Sequence, residues 1–120
     1  MPKILVVEDN DKVREATANR LESLGYAVLQ AKTGSETITV LLSGEPIALV
    51  FSDIVMPGGM TGYDVAKWVQ SMKPEVKLLQ TTGYSEVPLA VSEAARKIKV
   101  LAKPYTREQL ACALREALDG

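Results

Sequence analysis

Short apolar runs alternate with stretches of helical periodicity five times along this 120-residue chain. Ile4–Val7, Tyr26–Leu29, Ile47–Phe51, Val76–Leu79 and Ile98–Ala102 have the length and composition of strands. Ile4–Val7 and Ile47–Phe51 are apolar at every position, the pattern of strands covered on both faces. Between the runs, apolar residues recur at steps of three and four: Val13, Thr17, Leu21 and Leu24; then Ile38, Leu41 and Leu42; then Val65, Trp68, Val69 and Met72. Val87, Val91, Ala94 and Ala95 mark a fourth helix, and Leu110, Leu114, Ala117 and Leu118 a fifth, whose polar face of Arg107, Glu108, Arg115, Glu116 and Asp119 reads as merely solvated. Thr33 with Glu36 and Thr106 with Gln109 have the spacing of capping boxes, while Gly25 and Gly44 stand where helices should stop. Strands alternating with helices over short links imply parallel pairing with right-handed crossovers. The expected fold is one α/β domain over residues 1–120, a five-stranded parallel doubly wound sheet. Such sheets bind ligands beyond the carboxyl ends of their strands, where the strand order reverses.

Composition narrows the function mainly by exclusion. Hydrophobic residues make up 47% and charged residues 24%, as in an ordinary globular domain, and the net charge of −1 offers no basic stripe for a nucleic acid. Histidine is absent, which rules out a His-based triad, a His-ligated metal and a phosphohistidine carried on this chain. The single cysteine, Cys112, leaves no internal disulfide and lies off the apolar stripe of its helix, so it reads as a bystander in a cytoplasmic protein. No apolar run approaches membrane length.

The chemistry gathers where the strands end. The first run closes on Glu8-Asp9, the third on Ser52-Asp53, the fourth on Thr81-Thr82-Gly83 and the fifth on Lys103-Pro104. Alone, each is more often a turn residue, a helix cap or solvated charge; together they stand at the one edge where such folds do chemistry. If the first and third strands are neighbours, Glu8, Asp9 and Asp53 converge. At ~4 Å a pair of like charges costs about 1 kcal/mol in bulk water and roughly 4 at an effective dielectric of 20. Such a cluster protonates or binds a cation. Hard oxygen donors without imidazole or thiolate favour Mg²⁺. Lys103 adds an opposing charge and Thr82 a hydroxyl donor, a set suited to in-line phosphoryl transfer onto a carboxylate.

The segments Val6-Val7-Glu8-Asp9-Asn10, Asp53-Ile54-Val55-Met56-Pro57, Thr82-Gly83-Tyr84-Ser85 and Lys103-Pro104-Tyr105 resemble, in order and spacing, the receiver domains of response regulators. The resemblance spans essentially the whole chain. It implies the flavodoxin-like (βα)5 receiver fold with strand order 2-1-3-4-5, and Asp53 as acceptor of a phosphoryl group from the phosphohistidine of a sensor histidine kinase or phosphotransfer protein. It implies that Glu8, Asp9, Asp53 and the backbone carbonyl of Val55 hold Mg²⁺, Glu8 through water. Thr82 and Lys103 would grip the phosphoryl oxygens, and the Lys103-Pro104 bond would be cis. The surface of the fourth helix, fifth strand and fifth helix would then switch, in a monomer that dimerises at most on phosphorylation. The Pro-Gly-Gly-Met loop and Thr-Thr-Gly-Tyr turn look like receivers of hybrid sensor kinases, and no output domain lies within these residues.

Three positions depart from the family pattern. Glu8 stands where many receivers carry Asp; the loop Pro57-Gly58-Gly59-Met60-Thr61-Gly62 is one residue longer than the common form; and Val100 replaces the aromatic that usually swings inward as the site closes. Val55 and Tyr84 occupy positions that tune phosphate lifetime in this family, and neither can orient a hydrolytic water, so slow intrinsic dephosphorylation is expected. Two rivals remain. A phosphatase with an Asp nucleophile would place it on the first strand with a second Asp two residues on, unlike Asp53-Ile54-Val55. A phosphorylation-independent interaction module would not need Glu8, Asp9, Asp53, Thr82 and Lys103 together.

Overall fold

Five strands, β1 (Lys3–Val7), β2 (Ala27–Ala31), β3 (Leu49–Asp53), β4 (Lys77–Thr82) and β5 (Lys99–Ala102), pair in parallel in the order β2-β1-β3-β4-β5. Among the described residues four helices accompany them: α1 (Asp11–Ser23), α2 (Gly34–Leu42), α3 (Gly62–Met72) and α4 (Arg107–Asp119). The structure is a computed structural model that describes residues 2–54, 61–82 and 99–119. The helix predicted around Val87–Ala95 lies outside the described residues. Fold class and strand order are as expected.

Side-chain alternation along the strands divides the core into two layers. Leu5, Val7 and Val50 face Leu41 of α2 and Val65 and Val69 of α3, whereas Ile4, Val6, Leu49, Phe51 and Leu79 face Leu21 of α1 and Leu110 and Leu114 of α4. Both faces of β1 and β3 are therefore covered, which is why these runs are continuously apolar. The order reverses at β1, so the crevice between the carboxyl ends of β1 and β3 is the switch point of the sheet.

The helix ends follow their local chemistry with some differences. Thr106 and Gln109 form the expected reciprocal box: the Gln109 amide donates to Thr106 Oγ1 at 3.0 Å and the Thr106 amide to Gln109 Oε1 at 2.8 Å. At α2 only half of the box forms. The Glu36 amide donates to Thr33 Oγ1, but the Glu36 carboxylate accepts from the Lys32 amide at 3.2 Å instead. A capping box not read from the sequence joins Thr61 and Asp64 at the start of α3. Gly25 and Gly44 sit at φ +99° and +93°, the left-handed conformation that ends α1 and α2.

Two side chains expected on simple faces lie elsewhere. Trp68 packs against the core, but Met72 is 60% exposed because it is the last residue of α3, past the point where Val69 closes the layer. Arg107, expected on a merely solvated face, donates through Nη2 to the Ser23 carbonyl at 3.1 Å and so ties the start of α4 to the end of α1.

The strand boundaries shift mostly toward the carboxyl ends. β4 runs on through Gln80, Thr81 and Thr82, beyond the apolar stretch, because its backbone keeps pairing with Ser52 and Asp53 of β3. Gln80 is fully buried there, and its Nε2 donates to the Gly62 carbonyl at 2.7 Å. The Gly62 amide donates to the Ile54 carbonyl at 2.8 Å, so the first residue of α3 is clasped against the end of β3.

Candidate functional site

Each functional side chain is delivered by the end of an element rather than by its middle. β1 and β3 are in register through Val7 and Ser52, which brings Glu8, the residue after β1, beside Asp53, the last residue of β3. Asp53 follows Leu49 and Phe51 on the same face of β3, so its carboxylate opens toward α1 and α4. It lines a cleft of about 270 Å³, counted with its open mouth, together with Glu8, Val13, Thr17, Thr81, Lys103 and Tyr105. Tyr105 closes one side, packed edge-on against Phe51 with ring centroids 6.4 Å apart; burial raises its hydroxyl pKa.

Both oxygens of Asp53 are held. Lys103 Nζ donates to Oδ2 at 2.9 Å, and the Thr81 hydroxyl donates to Oδ1 at 3.0 Å. Lys103 also stands 4.0 Å from Glu8 Oε1, a single ammonium shared by two carboxylates. Burial pulls the Lys103 pKa down, but its bond to Asp53 and the charges of Asp53 and Glu8 outweigh this and hold the ammonium above its ordinary value. The lysine is thus firmly charged at neutral pH.

The shared ammonium does not neutralise the acids. Burial pushes the Glu8 carboxyl from 4.5 up to about 7, with Asp9 and then Asp53 adding to the rise against the lowering effect of the Asn10 amide. That amide donates to Glu8 Oε2 at 3.0 Å, while Asn10 Oδ1 accepts from the Val13 amide and caps α1. Arg14 Nη1 donates to the Glu8 carbonyl at 3.0 Å, so the turn after β1 is fixed from both sides.

A buried carboxyl crowded by neighbouring acids is a place where a bound cation relieves the cost of charge. The donors are hard oxygens, and the described residues present no ready-made cage of three acidic, His or Cys ligands. Asp9 is exposed beside Glu8. A few carboxylates completed by water and phosphate oxygens suit Mg²⁺ better than Ca²⁺, which prefers more protein ligands. The residues present fit Mg²⁺.

The expected site residues fall into two groups. Glu8, Asp53 and Lys103 are brought into one polar cluster with Asp9 at its rim. The Val55 carbonyl lies outside the described residues, as do Tyr84 and most of the long loop. Thr82 ends β4, where its backbone pairs with Ala102, and its side chain is not among those described. Lys103-Pro104 is cis. Cys112 is exposed on α4, away from the cleft lining. Thr81 was missed as a partner of Asp53. The direct pairing of Asp53 with Thr81 places both on one face of the sheet, and that register is not written in the sequence.

The sequence matches the response regulator receiver domain family over residues 4–115. It is 36% identical over 106 residues to the response regulator receiver protein CpdR of Brucella abortus, covering 88% of this chain and 87% of that protein. It is 35% identical over 119 residues to the sensor kinase CckA of the same organism, covering 97% of this chain but only 12% of the kinase. Among solved structures, a response regulator receiver domain protein from Clostridium thermocellum superimposes with a TM-score of 0.88 at 25% identity, over 99% of this chain and 95% of that one. The response regulator TrrA of Thermotoga maritima, solved in complex with Mg²⁺-BeF, gives 0.84 at 28% identity, over 98% and 99% of the two chains. No helix among the described residues is long and apolar enough to cross a membrane.

Proposed function

This chain belongs to the response regulator receiver domain family of two-component signalling, and we propose that Asp53 is its phospho-acceptor, loaded in a Mg²⁺-dependent reaction from the phosphohistidine of a sensor histidine kinase or phosphotransfer protein. The observation that carries this reading is the Asp53 carboxylate, held at the switch point of the sheet by Lys103 at 2.9 Å beside Glu8. In the transfer, an Asp53 oxygen attacks phosphorus in line as the bond from phosphorus to the donor imidazole nitrogen breaks, and that nitrogen keeps the electron pair. Lys103 meets the charge on the phosphoryl oxygens, and Thr82 donates its hydroxyl to them. Glu8, Asp9, Asp53 and the Val55 carbonyl would hold the Mg²⁺, which supplies neutralising charge to carboxylates and phosphoryl oxygens alike. The chain acts as a cytoplasmic signalling switch rather than as an enzyme with turnover on an outside substrate. The relatives it matches include a receiver protein of about its own length and a much longer sensor kinase. Borohydride trapping after incubation with acetyl phosphate and Mg²⁺, followed by peptide mapping, places a reduced aspartyl phosphate at residue 53. Label elsewhere, or none, would turn the reading toward an interaction module that works without phosphorylation.

Output in this reading passes to the surface around β5. Val100 is 38% exposed on β5, opposite Gln80 of β4. A valine has no long ring to rotate inward when the site closes, so the change transmitted to β5 and α4 is expected to be damped. Backbone chemical-shift changes on adding beryllofluoride should be large at Glu8–Asn10 and Asp53 and small along Lys99–Ala102. Shifts of equal size along β5 would show that the valine does not limit coupling.

A further inference from the structure

Thr81 is a polar residue in a nearly closed setting, 4% exposed, and its hydroxyl is spent on one partner, Asp53 Oδ1 at 3.0 Å. Lys103 takes the other oxygen, Oδ2, at 2.9 Å. The two carboxylate oxygens are therefore not equivalent: one is capped by a buried neutral donor, the other meets the ammonium. Parallel pairing of Asp53 directly with Thr81 fixes this arrangement through the backbone.

From this asymmetry we propose that Thr81 sets the lifetime of the aspartyl phosphate by holding Oδ1 as its carbonyl oxygen and stabilising the carboxylate as leaving group. The inference rests on the reading of Asp53 as phospho-acceptor. Oδ2, on the lysine side, is then the oxygen that bonds to phosphorus. In hydrolysis a water oxygen bonds to phosphorus and the bond from phosphorus to Oδ2 breaks. The electron pair returns to the carboxylate, and both water hydrogens leave with the phosphate as dihydrogen phosphate. The transition state for such transfers is loose, so the departing carboxylate already carries most of its negative charge. A hydrogen bond to an ionised oxygen is about twice as strong as one to a neutral carbonyl. Thr81 thus stabilises the transition state for phosphate loss more than the acyl phosphate that precedes it. Loading differs. There the carboxylate starts charged and stays largely charged at the transition state, so the same bond changes little. A hydroxyl at this position shortens the phosphorylated state without slowing its formation.

The test compares wild type, Thr81→Val and Thr81→Ser, loaded with acetyl phosphate and Mg²⁺, then freed of donor and followed by intact mass. Valine keeps the shape and loses the donor; serine keeps the donor and loses a methyl group. Thr81→Val should lose phosphate about three- to tenfold more slowly, and Thr81→Ser should decay like wild type. Circular dichroism confirms that each variant is folded. Wild-type decay in Thr81→Val, or equal slowing in Thr81→Ser, would overturn the proposal and leave Asp53 as acceptor intact. No loading of wild type would overturn the acceptor reading itself, and Thr81 with it.

Discussion

Replacing Gly62 by alanine destabilises the domain by at least about 3 kcal/mol, the upper end of the usual cost of forcing extra atoms into a packed site. A Cβ on Gly62 would collide with the Asp53 carbonyl oxygen and stand 2.6 Å from the Ile54 Cα and 2.8 Å from the Ile54 carbonyl oxygen. All three are backbone atoms, so no side chain can rotate away. Nor can Gly62 retreat freely, because its amide is bonded to the Ile54 carbonyl and its own carbonyl accepts from buried Gln80. Relief requires moving the end of β3, which carries Asp53, or the start of α3, which breaks the bonds of Gly62 to Ile54 and Gln80. Urea denaturation should show the midpoint falling with an unchanged slope, and phosphoryl loading of the folded fraction should fall too. A midpoint within error of wild type would show that this junction yields more easily than its bonds suggest.

Lys103→Met slows phosphoryl loading of Asp53 on the order of a hundredfold, the usual cost of removing one pre-placed donor from a site of developing charge. Methionine matches the length of the lysine stem and removes only the ammonium. Without it, the Glu8 and Asp53 carboxylates face an incoming phosphoryl group with no cationic side chain paired to them among the described residues. Lys3→Met is the matched control. Lys3 pairs with Glu45 at 2.8 Å at the amino end of β1, the opposite end of the strand from Glu8, and its loss should leave loading rates unchanged. Initial rates from intact mass at fixed acetyl phosphate and Mg²⁺ give the comparison. Equal rates in Lys103→Met and wild type would remove the lysine from the chemistry.

The sheet and most of the polar cluster were legible because the sequence writes them locally. Ile4–Val7 and Leu49–Phe51 are buried on both faces and so must be apolar throughout, and the first carboxylate after each run, directly after Val7 and one residue past buried Ser52, stands where the strand leaves the core. That rule found Glu8 and Asp53 without any knowledge of contacts. It failed on β4 for the same reason. Gln80 and Thr81 still belong to the strand, but their side chains serve the Gly62 junction and Asp53, so the hydrophobic pattern stops before the pairing does. Reading Thr81 as a partner of Asp53 needs the register between β3 and β4, which depends on how two distant segments pack. Glu36 was misjudged on a smaller scale. Its spacing from Thr33 predicts a reciprocal cap, yet its longer arm finds the Lys32 amide one residue earlier. Arg107 looked like a solvated charge because nothing local connects it to Ser23, which is 84 residues away.

The central claim is that Asp53 takes a phosphoryl group, and intact mass after incubation with acetyl phosphate tests it most directly. Wild type and Asp53→Asn are each incubated with Mg²⁺ and with EDTA. The predicted result is the gain of one phosphoryl group by wild type with Mg²⁺, and no gain with EDTA or in Asp53→Asn under either condition. A wild type that gains nothing under conditions that load another receiver, or an Asp53→Asn protein that gains as much as wild type, would contradict it.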